Sequence, residues 1–235
     1  MRALVIQHDH VSPPGLVGER LAERGFDLVE HQVVPAERFF APGVETEFPD
    51  PLEFDLVVPM GAPWPVYDTE LIGSWVKPEI ELLREADEAE VPVLGICFGG
   101  QLLAATHGGR VERGEQAEIS WVHDIRSDDP ALVPEGPWFQ WHYDRWQLPP
   151  GATEIARNDV TSQAFVLRRN LALQFHPELD PPMLDGWLDN GGREELERSG
   201  LDVEEVRRTT RELEQGARLR THALVDAFLD RIAQL

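Results

Sequence analysis

The stretch Val91-Pro92-Val93-Leu94-Gly95-Ile96-Cys97-Phe98-Gly99-Gly100-Gln101-Leu102-Leu103-Ala104-Ala105 permits few local structures. A short apolar run leads into a glycine-flanked turn, and a helix-like run leads out. A strand, a tight turn and a helix form the arrangement that presents a nucleophile at a sheet edge. The residue at the turn is Cys97, the chain's one cysteine. At a helix N-terminus the dipole and the free N–H groups favour a thiolate, which is the reactive form of the side chain.

The rest of the chain fits a sheet built around that turn. Residues 2 to 7 read as a buried strand, Leu16 to Arg24 as a helix stopped by Gly25, and Leu28 to Val33 as a second strand. Residues 36 to 53, with several Pro, Gly and acidic residues, read as a loop. Phe54 to Pro59 read as a third strand, Glu70 to Glu90 as a long acidic helix, and Val91 to Ile96 as the strand that ends at the thiol. Such alternation implies a mostly parallel sheet with helices on both faces. Beyond the elbow helix the pattern changes to short strand candidates, at 109–113, 119–125, 138–142, 154–157, 164–168 and 171–175. These form a mixed region that brings the chain back to the nucleophile. From Gly191-Gly192 onward the chain reads as helix. Leu213, Ala217, Leu219, Leu224, Ala227, Phe228 and Ile232 give an approximate stripe for packing on the sheet or on the other copy in a homodimer. We therefore divide the chain into a domain over residues 1–190 and a helical extension over 191–235 that packs on it.

A thiol needs a base, and the base needs an orienting group. Leu171 to Phe175 alternate as a strand would, delivering His176 to its end, and Pro177-Glu178 follow. Glu178 can bond one imidazole nitrogen and leave the other to face Cys97, a triad by role. With these motifs quoted, the chain resembles the class I (triad) glutamine amidotransferases, whose glutaminase domains carry a G-x-C-x-G-x-Q elbow and a downstream His-Pro-Glu. Val57-Val58-Pro59-Met60-Gly61-Ala62-Pro63 is similar to the family's strand and glycine loop. Gln140-Trp141-His142-Tyr143-Asp144, Leu148-Pro149-Pro150-Gly151-Ala152 and Gln163-Ala164-Phe165 resemble segments of its stand-alone, GMP-synthase-like branch. The resemblance covers roughly residues 1 to 190.

The resemblance implies a flavodoxin-like fold and hydrolysis of glutamine's side-chain amide, or of another γ-glutamyl amide, through a thioester. It implies Cys97, His176 and Glu178 as catalytic residues. Backbone N–H groups of Phe98 and of Gly61 or Ala62 would form the oxyanion hole. Gln101, the Glu118-Ile119-Ser120 segment, His142 and Tyr143 would line the substrate site. No metal or cofactor is called for. The ammonia would pass to a synthase on a separate polypeptide; a free-standing γ-glutamyl hydrolase or peptidase is the alternative, and a non-catalytic regulatory or binding protein the third. Two positions depart from the family pattern. Ser120 stands where glycine is frequent, which bears on the fit of the pocket. Tyr143 also stands where glycine is frequent, which bears on the width of its mouth.

Other features carry less. His8, Asp9 and His10 are metal ligands by type and follow the first strand, but no further ligands can be named to complete a site. Trp138, Trp141 and Trp146 read as core and rim aromatics. The net charge of −22 argues against nucleic acid and anionic membranes as partners. A single cysteine suits a reducing compartment, and no run approaches the roughly 20 apolar residues of a membrane-spanning helix, so a cytoplasmic enzyme is expected.

Overall fold

A computed structural model describes residues 1–235. β1 (Arg2–Gln7) is buried from Ala3 onward, as an interior parallel strand must be when helices cover both faces of its sheet. Its side chains alternate between two cores. Ala3 and Val5 join a cluster with Val17 and Leu21, while Leu4 and Ile6 join one with Trp75, Leu83 and Leu102. α1 (Gly15–Glu23), β2 (Asp27–Gln32) and β3 (Leu56–Pro59) follow, then α2 (Thr69–Glu88), capped by Asp68, whose carboxylate accepts from Leu71 N–H. The loop expected over 36–53 includes two short 3-10 turns, Ala36–Arg38 and Pro51–Glu53.

β4 (Leu94–Ile96) and α3 (Phe98–Thr106) flank Cys97. They are followed by β5 (Arg110–Val122), β6 (Arg126–Ser127), β7 (Trp138–Gln147), β8 (Thr153–Arg157), β9 (Ser162–Leu167) and β10 (Asn170–Leu173). β2, β1 and β3 pair in parallel, and a parallel bridge from Val57 to Val93 carries the sheet on to β4. β10 pairs with β4 in parallel, and β9, β8 and β6 continue antiparallel. The central sheet is thus parallel through its middle and mixed at one edge.

β5 and β7 form a separate antiparallel ribbon. The strands expected at 109–113 and 119–125 are one continuous strand ending at Val122. They looked separate because the pairing slips between Arg113 and Glu118, at the polar Gly114-Glu115-Gln116. The strand expected to end at His142 runs on to Gln147.

α4 (Pro181–Trp187) leads into an irregular turn, Leu188–Gly192, where Gly191 has φ 104°. That conformation suits glycine and explains the break read there. α5 (Arg193–Arg198) and α6 (Val203–Ala227) complete the chain with a last turn, Phe228–Ala233. The buried face of α6 is Val203, Val206, Thr210, Ala217, Thr221, Leu224 and Val225. Leu219, placed on the stripe from sequence, is 66% exposed, because the α-helical period turns it away from Ala217 and Thr221. The end of α6 and the last turn enter the same core as β1, β3 and β4. Ion pairs from Arg20 and Arg24 to Asp226, and from Arg218 to Glu19, line the α1–α6 seam. No helix is long and apolar enough to cross a membrane.

Candidate active site

Cys97 sits between β4 and α3 with φ 49° and ψ −105°, a region costly for any side-chain-bearing residue. Surrounding contacts enforce it. Its N–H donates to Leu173 O at 2.7 Å, and Gly99 N–H donates to Met60 O at 3.1 Å. The turn is tight enough to demand glycine. A Cβ on Gly99 would lie 2.0 Å from Pro59 O, and one on Gly95 2.6 Å from Gly99 O. Neither neighbour is a flexible side-chain tip; both are backbone.

His176 arrives by the parallel pairing of β10 with β4. Leu173 lies opposite Ile96, so both strands end at the same edge and the residues that follow them meet. His176 N–H donates to Phe139 O at 2.8 Å, and its imidazole Nδ1 donates to Glu178 Oε1 at 2.7 Å. Glu178 is fully buried, and its Oε2 has no hydrogen-bond partner, so the carboxylate's charge is directed mainly at the imidazole. Burial alone would strip the proton from His176. The Glu178 carboxylate and the Cys97 sulfur outweigh burial and raise its pKa to about 10, so at neutral pH it is an imidazolium. Its Nε2 is buried without a hydrogen bond, on a ring also packed edge-on against Trp187 at 4.9 Å.

Three tertiary contacts hold the His-Pro-Glu segment. Thr221 of α6 donates its hydroxyl to Pro177 O at 2.6 Å, and Leu16 N–H donates to Glu178 O at 3.0 Å. Gly15 leaves room for that carbonyl, since a Cβ there would lie 2.1 Å from it. Gly61 is equally confined: a Cβ would lie 3.1 Å from His176 Cε1 and 3.9 Å from Cys97 Cβ.

Two cavities open beside Cys97. One, of about 190 Å³, includes His176, Gly61, Ala62, Asp9, Phe39, Trp187 and Glu195 in its wall. The other, of about 170 Å³, is lined by Gln101, Arg113, His142, Tyr143, Asp144 and Trp64. Ala62, Pro63, Trp141 and Glu195 border both. Asp9 is held by Val11 N–H and Ser12 Oγ, and burial pushes its carboxyl up. Burial likewise raises Asp144, although Tyr67 donates a hydroxyl to it at 3.0 Å.

The structure brings Cys97, His176, Glu178, Gly61 and Ala62 together, with Phe98 N–H at the first position of α3. Gln101, His142 and Tyr143 lie on the second cavity. Gln101 is partly committed, since its amide donates to Asp144 O and Gln174 Oε1. Glu118 is not on either wall. It accepts from Asn158 at 2.5 Å and Gln163 at 2.8 Å and faces His142 Nε2 at 3.2 Å, forming a buried polar network behind the cavity. Ile119 packs on the cluster around Phe139 and Leu184.

Ser120 is absent from both walls but has φ 92° within β5. That is a glycine conformation at a position where glycine is frequent in the resembled family. Replacing Ser120 with Gly should therefore stabilise the fold by about 1 kcal/mol, read as a rise in thermal midpoint of about 2–4 °C.

His8, Asp9 and His10 diverge rather than forming one ligand set. His8 is bonded to Glu79 and Gly61, Asp9 to Val11 and Ser12, and His10 packs edge-on against Phe39. Trp138 is core, stacked on Phe175 at 4.6 Å; Trp146 is also core, while Trp141 forms part of the cavity rim. Sequence reasoning missed Trp187, Asn190 and Glu195, which the turn at Gly191-Gly192 brings to the cavity. It also missed Gln174, whose amide lies 3.8 Å from Cys97 Sγ, although Gln174 directly follows the strand that delivers His176.

A family model described as glutamine amidotransferase class-I matches residues 19–186. The chain is 36% identical over 106 residues to one component of the two-part, glutamine-hydrolyzing GMP synthase of Thermococcus kodakarensis, covering 42% of this chain and 56% of that one. It is 31% identical over 176 residues to a glutamine-hydrolyzing GMP synthase of Nitrobacter hamburgensis, covering 70% of this chain and 29% of the relative. The match thus spans little more than half of the first relative and under a third of the second. Among solved structures, a glutamine amidotransferase from Thermotoga maritima superposes with a TM-score of 0.83 at 27% identity, over 98% of each chain.

Proposed function

The chain belongs to the class I glutamine amidotransferases, and from that premise we propose that it hydrolyses the side-chain amide of glutamine through a Cys97–His176–Glu178 triad and supplies the ammonia to a synthase on another polypeptide. The observation that carries this is an imidazolium paired with a buried carboxylate, beside a sulfur held in a strained turn at the edge of two cavities. In this reading the Cys97 thiolate attacks the amide carbon. A C–S bond forms and the carbonyl electron pair moves to oxygen. The oxyanion is met by N–H groups of Phe98 and of Gly61 or Ala62. As the C–N bond breaks, nitrogen takes the proton from His176 and leaves as ammonia. His176, now neutral, removes a proton from water, which attacks the thioester; glutamate leaves and the sulfur is restored. Gln101, His142, Tyr143 and the Glu118–Ser120 backbone would line or support the glutamyl side. The separate synthase is suggested by the Thermococcus relative, which by name is a single component of a GMP synthase.

One observation favours a second reading, a free-standing γ-glutamyl hydrolase. The cavity on the His176 side is where the leaving amine would sit, and about 190 Å³ far exceeds the room one ammonia needs. Its far wall includes Trp187 and Glu195, which lie beyond the family match. The test compares the purified protein's kcat/KM on glutamine with that on γ-glutamyl amides of progressively larger amines. Glutamine as the preferred substrate supports ammonia supply, and a preference for bulky amides supports the hydrolase. Turnover of neither would refute both.

A further inference from the structure

Behind the loop that carries Gly61 and Ala62 lies a buried ion pair that the mechanism above does not use. His8 follows β1, and Glu79 lies on the inner face of α2; both side chains are fully buried. His8 Nε2 is 3.0 Å from each oxygen of Glu79, and His8 Nδ1 is 3.2 Å from Gly61 O. Carboxylate and carbonyl oxygens can only accept, so both ring nitrogens must carry hydrogen. The ring is therefore an imidazolium by geometry. Its protonation agrees: burial opposes the charge, but Glu79 and the bond to Gly61, with Asp9 adding a smaller effect, raise its pKa above the ordinary value. The nearby His31 is the one cationic group acting the other way in this cluster, and its own pKa is lowered, chiefly by burial. The His8 ring also packs edge-on against Phe98 at 4.7 Å and tilted against Trp75 at 5.6 Å.

We propose that His8, held by Glu79, is a positioning residue that sets the oxyanion hole by fixing the Gly61–Ala62 peptide. A trans peptide points its C=O and N–H in opposite directions. With Gly61 O anchored on His8, the N–H of Ala62 is turned away from His8, and Ala62 borders both cavities beside Cys97. The same loop is tied at its other end, where Met60 N–H donates to Ile6 O and Met60 O accepts from Gly99 N–H. A cation behind the carbonyl also polarises the peptide, making the N–H a stronger donor to a developing oxyanion. Desolvating such a pair has a cost that a hydrophobic pair would avoid, and a preorganised donor is the return. This inference rests on the amide-hydrolase reading, and its test separates the two.

The test uses the full chain, with two covalent probes of Cys97, the one cysteine. A glutamine-shaped chloromethyl ketone reacts through a tetrahedral oxyanion, whereas iodoacetamide is displaced directly and forms none. His8→Gln keeps the contact with Glu79 but not the donor to Gly61 O; His8→Asn keeps a donor at the Nδ1 position. In His8→Gln, kcat should fall about 10- to 100-fold, with KM within about 2-fold, and inactivation by the chloromethyl ketone should slow by a similar factor. Alkylation by iodoacetamide should stay within about 2-fold, and His8→Asn should recover at least about 5-fold of the loss. Glu79→Gln, nearly isosteric, should show the same split between probes, and it decides the matter if the His8 variants do not fold. Unchanged kcat in His8→Gln and Glu79→Gln, equal slowing of both probes, or His8→Asn no better than His8→Gln would overturn the proposal. Failure of the wild type to react with the chloromethyl ketone would instead sink the amide-hydrolase reading itself.

Discussion

Replacing Cys97 with alanine is expected to reduce amide hydrolysis on the order of 10⁴-fold or more, leaving only what binding and the oxyanion hole supply. The fold should survive. Cys97 is small, it is tied to its neighbours through backbone bonds to Leu173 O and Gln101 N–H, and alanine removes only the sulfur. The removed group touches little that packing depends on: Cys97 Sγ lies 3.9 Å from Trp141 O and 3.8 Å from the Gln174 amide, at the limit for sulfur. Alanine occupies the positive-φ turn with the same backbone strain as cysteine, so the thermal midpoint should move little. The check is steady-state release of ammonia or amine by variant and wild type, with circular dichroism of both. A variant retaining more than about a tenth of the activity would remove Cys97 from the chemistry.

The second large effect is expected from Glu178→Gln. Glutamine keeps the size of the side chain but removes the charge. By analogy of role with other triads, activity should fall about 10⁴-fold, because the imidazole loses the partner that fixes its tautomer and stabilises its cationic form. The pH dependence gives a sharper signature. In the wild type the His176 pKa is raised to about 10, so the imidazolium persists through neutral pH and activity should decline only as pH rises toward that value. Burial is the largest influence on this group and lowers its proton affinity, while Glu178 is the leading influence in the opposite direction. Removing the carboxylate therefore leaves burial less opposed. The basic limb of the residual kcat/KM should move down in pH, toward neutrality. A basic limb that stays in place would show that Glu178 does not govern His176.

The elbow was legible because its determinants are local. Gly95 and Gly99 sit where a Cβ would strike backbone, and the apolar run and helix on either side define the turn without reference to the rest of the chain. The His-Pro-Glu segment was legible for a related reason. A strand pattern ending at His176 needs only to pair in parallel beside the strand ending at Cys97, and β10 does so. Gly61 also carried a readable signal, since a glycine after a buried strand suits close approach to a site. What could not be read depends on long-range packing. Glu79 follows Pro78 on a helix that showed only an acidic surface pattern, yet it is fully buried against His8, 71 residues earlier. Trp187 and Glu195 reach the cavity because Gly191 reverses the chain between α4 and α5, and no local periodicity announces where that reversal points. Glu118 looked like a pocket residue and is instead buried among Asn158, Gln163 and His142, a network assembled from three strands and a turn. Leu219 misled because an apolar residue near a helical stripe need not lie on its buried face.

The account depends on one sulfur being both reactive and situated where a glutamyl group binds. Intact-mass analysis of the protein after brief incubation with the glutamine-shaped chloromethyl ketone, with and without excess glutamine, tests this most directly. One adduct, mapped to Cys97 and suppressed by glutamine, is the predicted result. No adduct, or one whose formation glutamine does not slow, would contradict it.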